Sequence, residues 1–382
     1  MSTLTNEQIN TLRNDSSIPR YRDNFPPDNI SQIYDDGMVY LIGEANRSIG
    51  MINNYIRNVP NPEWLTIPLI LKEAIISSKI EGTNANVSDL IAKESGEPLS
   101  DSMINDVKEV NNHWNALMLG MELLKEKPIY SETIKEIHNV LLEGVRGNML
   151  RRGEFRSGAN AISIDGTFDT VTYLPPEVNN LPRLLTRLDN YMNSEIKIDR
   201  LIKIAIIHQE FEAIHPFADG NGRIGRTLIT LYLLKEGVLI APHLFMSGYF
   251  LKYKDEYFKR LQTVNTDGDW KSWIKFFLEA VNYEARKSYS ILGKISDLFD
   301  KQVNYAQSKL KGRYVREIIS MSYKNPISLN ANEVIKSHPY ISHDAALENM
   351  RKLVSLEILK SSEQKRNVKF SNPKLLELVF SS

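Results

Sequence analysis

Residues 215–226, HPFADGNGRIGR, bring a histidine, an aspartate, an asparagine, two arginines and three glycines into twelve positions. Gly220 and Gly222 can adopt backbone conformations closed to other residues and so turn several N–H groups toward one point. The run GRIGRTLITLYLL that follows has helical apolar spacing, which puts those N–H groups at a helix N-terminus, a ready anion site. Arg223 and Arg226 are three residues apart, share a helix face and can fork onto phosphate oxygens. Asp219 supplies a hard oxygen suited to Mg²⁺ that also touches phosphates. His215 is the natural proton acceptor at neutral pH. A polyphosphate cradle with a metal ligand and a base accounts for every polar residue in the stretch. The plainer alternative, a capping turn with surface arginines, gives His215 and the arginine pair no common task. No GxxxxGK(S/T) occurs, so a Walker-type loop is excluded.

The elements around this stretch are mostly helical. Apolar residues at i, i+3 and i+4 mark helices over 104–125, 130–145, 177–194, 198–213, 223–236, 248–264 and about 270–308. Another covers 66–82, with Thr66 and Pro68 as start signals and Gly82 as a stop. Residues 155–175 instead alternate apolar and polar around Asp165-Gly166, a hairpin signal. Residues 301–382 hold fourteen Lys and Arg against seven Asp and Glu, in a chain whose net charge is zero. Their pattern is helix (306–323), helix (331–338), helix (343–356), then strands in EILKSS and NVKFSN around the basic turn EQKR. That order reads as a winged-helix domain.

At 382 residues the chain exceeds one ordinary core, so two or three domains are expected. A hydrophobic share of 42% and a charged share of 25% are those of a water-exposed globular protein. Zero net charge removes any global field toward nucleic acid or membrane. The absence of cysteine excludes disulfides, thiolate nucleophiles and cysteine metal sites. The polar start MSTLTNEQINTLRND lacks a signal-peptide pattern, and every apolar run is broken by charge before it could span a bilayer. A cytoplasmic location is expected.

HPFADGNGRIGR resembles the Fic motif HxFx(D/E)GNGRxxR at every defined position. The similarity extends over roughly residues 105–285, including HQEFEAI before the motif, GEFRSG upstream and the hairpin. The resemblance implies a mainly α fold: a Fic helical core with a short β-hairpin flap, an N-terminal helical segment and a C-terminal winged-helix domain. The corresponding boundaries are 1–104, 105–300 and 301–382. The implied activity is transfer of AMP from ATP to a Ser, Thr or Tyr hydroxyl of a protein. His215 would deprotonate that hydroxyl, and Phe217 would anchor the loop. Asp219 would hold Mg²⁺ bridging the α- and β-phosphates. Gly220, Asn221 and Gly222 would form the anion hole, with Asn221 on the α-phosphate. Arg223 would stabilise the leaving diphosphate, and Arg226 would bind the γ-phosphate. The hairpin near 160–174 would hold the target chain as an added strand.

A second match is SSKIEG, residues 77–82. Ser77 and Glu81 are i, i+4 neighbours on one helix face. Taken alone, this is a helix ending in a solvated Glu-Gly. Ser77, Glu81 and Gly82 also fit (S/T)xxxE(G/N), the inhibitory-helix motif of the Fic family, in which the glutamate pairs with the second arginine, here Arg226. A carboxylate fork there competes with phosphate for the same donors. The resemblance therefore implies an autoinhibited enzyme, and in some relatives the same glutamate serves AMP removal. Self-modification, homodimerisation and DNA binding through 301–382 stay open. So do the rival readings of a nucleotide-sensing DNA-binding regulator and of a transferase using another nucleotide.

The lesser signals read plainly. In SHDAALENMRKLVSLEIL, Ala346, Met350, Leu353 and Val354 form a core face, while His343 and Asp344 are poor major-groove readers. Lys365, Arg366 and Lys369 could meet phosphates. His208 lies on an apolar stripe and reads as a satisfied core residue. His113, His138, His243, His338 and His343 are dispersed without zinc-site spacing. Tyr249 and Tyr257 are candidates for lining an adenine pocket.

Overall fold

The computed structural model describes residues 6–28, 30–60, 62–145, 151–163, 167–310, 312–364 and 367–381. It is mainly helical, with two short antiparallel strand pairs among the described residues. The chain forms two compact units. One comprises Met1–Gly50, Asn112–Ile240 and Leu244–Ala285; the other comprises Met51–Asn111, Ala241–His243 and Arg286–Ser382. Among the described residues, no helix is long and apolar enough to cross a membrane.

The first unit is built around the helix Arg200–Ile214. Its sequence RLIKIAIIHQEFEAI is apolar nearly all round, so it has no solvent face, and all but two of its residues are buried. Asp199 caps its start by accepting the Leu201 N–H at 2.8 Å. Helices Leu181–Met192, Asn221–Lys235 and Lys254–Asp267 pack on it. Leu181–Met192 shows why: Leu181, Leu184, Leu185, Leu188 and Met192 form one buried stripe. Lys203 carries its charge out of this core to the Met192 and Ser194 carbonyls, at 3.2 and 2.7 Å, at the end of that neighbouring helix. The expected helix 248–264 is two helices, Ser247–Lys252 and Lys254–Asp267, broken at Tyr253 with φ −117° and ψ 45°. The hairpin pairs Ile162–Ser163 with Val171–Tyr173, with an irregularity between Ile162 and Ser163. Its expected Asp165-Gly166 turn lies outside the described residues.

The second unit is organised by the helix Glu63–Ile80, which begins earlier than Thr66 and carries Pro68 inside it. Proline there removes only one intrahelical hydrogen bond, and burial of both flanking turns outweighs that loss. Helices Val315–Lys324 and Pro373–Phe380 pack on it. Helix Ala331–Ser337 packs on His343–Ser355, and Lys360–Ser361 pairs with Phe370–Ser371. Leu329 exchanges both backbone hydrogen bonds with Phe370 at 2.8 Å, adding a third short strand segment. Ala346, Met350 and Leu353 are buried as expected, while Val354 is half-buried.

His208 is fully buried in the first unit. Its Nδ1 lies 3.1 Å from the Gly225 carbonyl and its Nε2 lies 2.9 Å from the Tyr257 hydroxyl. The carbonyl can only accept, so Nδ1 carries the proton and Nε2 accepts from Tyr257. Burial pushes the pKa of this neutral ring down to about 3. An unfolded histidine titrates near 6.5, so the unfolded chain takes up this proton first as pH falls. The stabilisation is complete above about pH 6.5 and is lost by roughly 1.4 kcal/mol per unit as pH falls toward the folded value. Urea unfolding between pH 6.5 and 4.5 should show a slope flatter by about one proton in His208→Gln than in the parent chain. Equal slopes would mean that His208 does not stay neutral in the fold.

Candidate active site

Helix Arg200–Ile214 ends at His215, which adopts φ 48° and ψ 61° in the left-handed region. Glycine takes this conformation easily, whereas a β-carbon makes it cost about 1–2 kcal/mol. The surroundings hold it in place. Arg156 is buried and donates from Nε to the His215 carbonyl at 2.9 Å. Its Nη2 reaches the Pro176 carbonyl at 2.6 Å and the Ile214 carbonyl at 3.4 Å, and its Nη1 reaches Gly158 at 3.3 Å. The Arg156 N–H adds a bond to the Pro216 carbonyl at 2.9 Å. A single guanidinium thus gathers the carbonyls left over where the helix ends. Burial pulls its pKa down to about 10, which leaves it charged at neutral pH.

The middle of the loop is pinned by Phe217, which is fully buried. Its ring stacks on His138 with centroids 3.7 Å apart and planes 8° apart, and it meets Phe155 at 5.0 Å. The Gly153 N–H donates to His138 Nδ1 at 3.0 Å, which leaves the ring proton on Nε2, 3.0 Å from the Asp219 carbonyl. Burial drives the His138 pKa down to about 4, so the ring is neutral at pH 7. The carboxamide of Asn221 accepts from Phe217 N at 2.8 Å and donates to Phe217 O at 2.9 Å. The side chain of Asn221 is thus engaged with the loop backbone, at the first residue of the helix that follows.

Helix Asn221–Lys235 begins after Gly220, which has φ +76°. A β-carbon at Gly220 would also come within 3.0 Å of Leu141. Arg223 and Arg226 are 3% and 2% exposed, so the surface-arginine alternative does not hold. Arg223 Nη2 lies 3.9 Å from Asp219 Oδ1, which also accepts the Gly220 N–H at 2.6 Å. Gly225, one of the motif's variable positions, faces side chains of the preceding helix. A β-carbon there would sit 2.1 Å from Glu212 Oε1 and 3.3 Å from His208 Cε1. Asp219 is part-exposed, and no group of three or more His, Cys, Asp and Glu able to hold a metal occurs among the described residues. A part-exposed carboxylate at a helix start suits Mg²⁺, which proteins hold by one or two carboxylates together with substrate phosphates.

His215, Asp219, Gly220, Asn221, Gly222, Arg223 and Arg226 lie in the first unit; Ser77, Glu81 and Gly82 lie in the second. Ser77 is fully buried and Glu81 is exposed. Gly82 has φ +95°, its N–H bonds to Lys79 O at 3.1 Å, and Thr83 N–H bonds to Ser78 O at 3.2 Å. This is a Schellman closure, and it explains the glycine of the second motif as a helix stop. Among the lesser signals, Tyr257 is buried with its hydroxyl on His208, which removes it from the adenine candidates. Tyr249 packs against Tyr253, Phe276 and Tyr283. Lys365 and Arg366 lie outside the described residues, and Lys369 Nζ is 3.8 Å from Glu94. The residues that sequence reasoning missed are His138 and Arg156. Only the GEFRSG match hinted at the second; for His138 the local sequence carried no signal.

Residues 128–233 match the family model described as Fic/DOC family, and residues 39–122 match the one described as Fic/DOC family N-terminal. A "Probable protein adenylyltransferase" of Aquifex aeolicus (strain VF5) is 30% identical over 171 residues, which is 45% of this chain and 50% of that protein. The "Protein adenylyltransferase Fic" of Drosophila melanogaster is 27% identical over 194 residues, 47% of this chain and 35% of that one. The chain thus spans half or less of the length of these curated relatives. Among solved structures, a Fic family protein from Desulfovibrio desulfuricans G20 superposes with a TM-score of 0.57 at 20% identity, covering 89% of this chain and 96% of that one. A Fic domain containing signaling protein from Bacteroides thetaiotaomicron VPI-5482 gives 0.54 at 18%, covering 69% and 97%. The fold is therefore the one these Fic proteins share.

Two substitutions probe the geometry. If the left-handed turn at residue 215 is strained, His215→Gly will be more stable than His215→Ala by about 1 kcal/mol in urea, the reverse of the order in ordinary backbone. Gly225→Ala should cost about 1–3 kcal/mol, because Glu212 and His208 must move aside. A neutral Gly225→Ala would show that the two helices are not in close approach there.

Proposed function

We propose that this protein transfers AMP from ATP to a Ser, Thr or Tyr hydroxyl of a protein and that Glu81 restrains the reaction. The observation that carries the reading is the pair Arg223 and Arg226, almost fully buried in the first turns of a helix that starts at a left-handed glycine. Two guanidinium groups held close to a helix N-terminus concentrate positive charge and forked donors at one point. A polyphosphate at the N-terminus of that helix is a partner for both, and the helix dipole adds to its attraction.

In this reading His215 is the base. Its Nδ1 lies 3.4 Å from the Glu212 carbonyl, which favours a proton on Nδ1 and leaves Nε2 to accept. The hydroxyl proton moves to Nε2, the hydroxyl oxygen bonds to the α-phosphorus, and the bond from that phosphorus to the bridging oxygen breaks. Diphosphate leaves toward Arg223 and Arg226. The backbone N–H groups of Asn221 and Gly222 take the charge that builds on the α-phosphate oxygens. Asp219 would hold Mg²⁺, whose contribution is to neutralise phosphate charge. The hairpin would seat the target chain by strand addition. Residues 1–104 would carry the brake, 105–300 the chemistry, and 301–382 a winged-helix domain, a reading supported by the Leu329–Phe370 pairing. Glu81 would compete with the γ-phosphate for Arg226.

Intact-mass and peptide mass spectrometry of wild type, Glu81→Gly and Glu81→Gly/His215→Ala, each with Mg²⁺ and ATP and with added lysate as bait, tests this. The expected result is AMP on Glu81→Gly or its bait, little on wild type and none on the double variant. Absence of AMP from enzyme and bait alike would remove the transferase reading.

A further inference from the structure

The helix that leads to Glu81 is buried along most of its length, and within the second unit its cover comes from residues 299–380. Trp64 stacks on Phe299 with centroids 4.4 Å apart and meets Tyr323 edge-on at 5.9 Å. Glu63 pairs with Lys324 at 2.5 Å. Lys72 Nζ reaches the Val379 carbonyl at 2.7 Å, at the end of the helix Pro373–Phe380, whose Leu375, Leu376 and Val379 are buried. These contacts lie upstream of Glu81. Downstream, Glu94 lies 3.8 Å from Lys369, and a β-carbon at Gly96 would sit 2.7 Å from Gln364 Nε2. The segment carrying Glu81 is therefore held at both ends by the C-terminal module.

We infer that the C-terminal module is the mount of the brake: its grip on Lys72 and Glu94 sets where Glu81 stands, and loosening that grip releases the transferase. The inference rests on the function proposed above. The lever is stiff, because the helix continues unbroken from Lys72 to Ile80 and its end is closed by the Schellman turn at Gly82. Nine residues of helix span roughly 14 Å, so a tilt of about 5° at Lys72 displaces Glu81 by about 1 Å. An error of that size is enough to break an ion pair whose geometry is fixed. A partner that strained the 360–371 hairpin or the last helix would be felt at Glu81 without touching it. Lys369, the one hairpin lysine with a described partner, is thereby turned inward to Glu94 and serves the mount.

The test uses the full chain with Lys72→Met, which removes the bond to the Val379 carbonyl while keeping an apolar stem, and Lys72→Met/Lys369→Ala, which loosens both ends. Leu376→Ala serves as a stronger apolar variant. Hydrogen exchange reads the amides of 77–82 and 373–380, and mass spectrometry reads AMP incorporation with Mg²⁺ and ATP. Faster exchange at 77–82 is expected together with a rise in AMP of about fivefold or more. No further gain should appear when the same changes are added to Glu81→Gly. If Glu81→Gly labels while the mount variants stay at the wild-type level, the inference is overturned. If Glu81→Gly itself does not label, the function reading fails instead. The exchange arm then decides alone, and unchanged exchange at 77–82 beside loosened 373–380 sinks the mount.

Discussion

Two buried helices meet at the turn 215–220, and the turn must satisfy the backbone groups that both helix ends leave open. Water cannot do this in the interior. Arg156 collects the carbonyls of Ile214 and His215, His138 takes that of Asp219, and Asn221 closes on both polar groups of Phe217. These distant or local side chains determine the path of the loop. The helix that follows therefore starts from a fixed point.

The charge pattern follows the same division of labour. His138 and His208 touch the loop or its helix, and burial keeps both neutral at pH 7. The positive charge beside the turn thus comes from Arg223, Arg226 and the helix end. On the proposed function, His215 is the group that moves a proton and so brings pH dependence to the chemistry.

The turn, the helix start and the two buried arginines were legible in the sequence because they are local, lying in one twelve-residue stretch. Helix existence was legible wherever the 3.6-residue period ran long, as in Arg200–Ile214 and Trp270–Lys309. What holds the site was not legible, since Arg156 and His138 lie 59 and 81 positions from their partners His215 and Asp219. Boundaries failed where packing overrode local signals, as at Pro68 and at Tyr253. Helix Asp36–Arg57 was missed because its glycines, asparagines and exposed Val39, Tyr40 and Met51 blur the apolar stripe. Helix Pro373–Phe380 was readable from its Asn-Pro start and was overlooked.

The left-handed conformation of His215 has an evolutionary corollary. One base change converts a histidine codon to an asparagine codon, and asparagine accepts left-handed backbone better than almost any residue but glycine. Loss of the proton acceptor can therefore arise in one mutational step with the architecture of the turn preserved. On the proposed function, a lineage that no longer needed transfer would keep a chain that folds as before. Catalytically silent descendants of this architecture are within easy reach, with selection on folding doing little to prevent them.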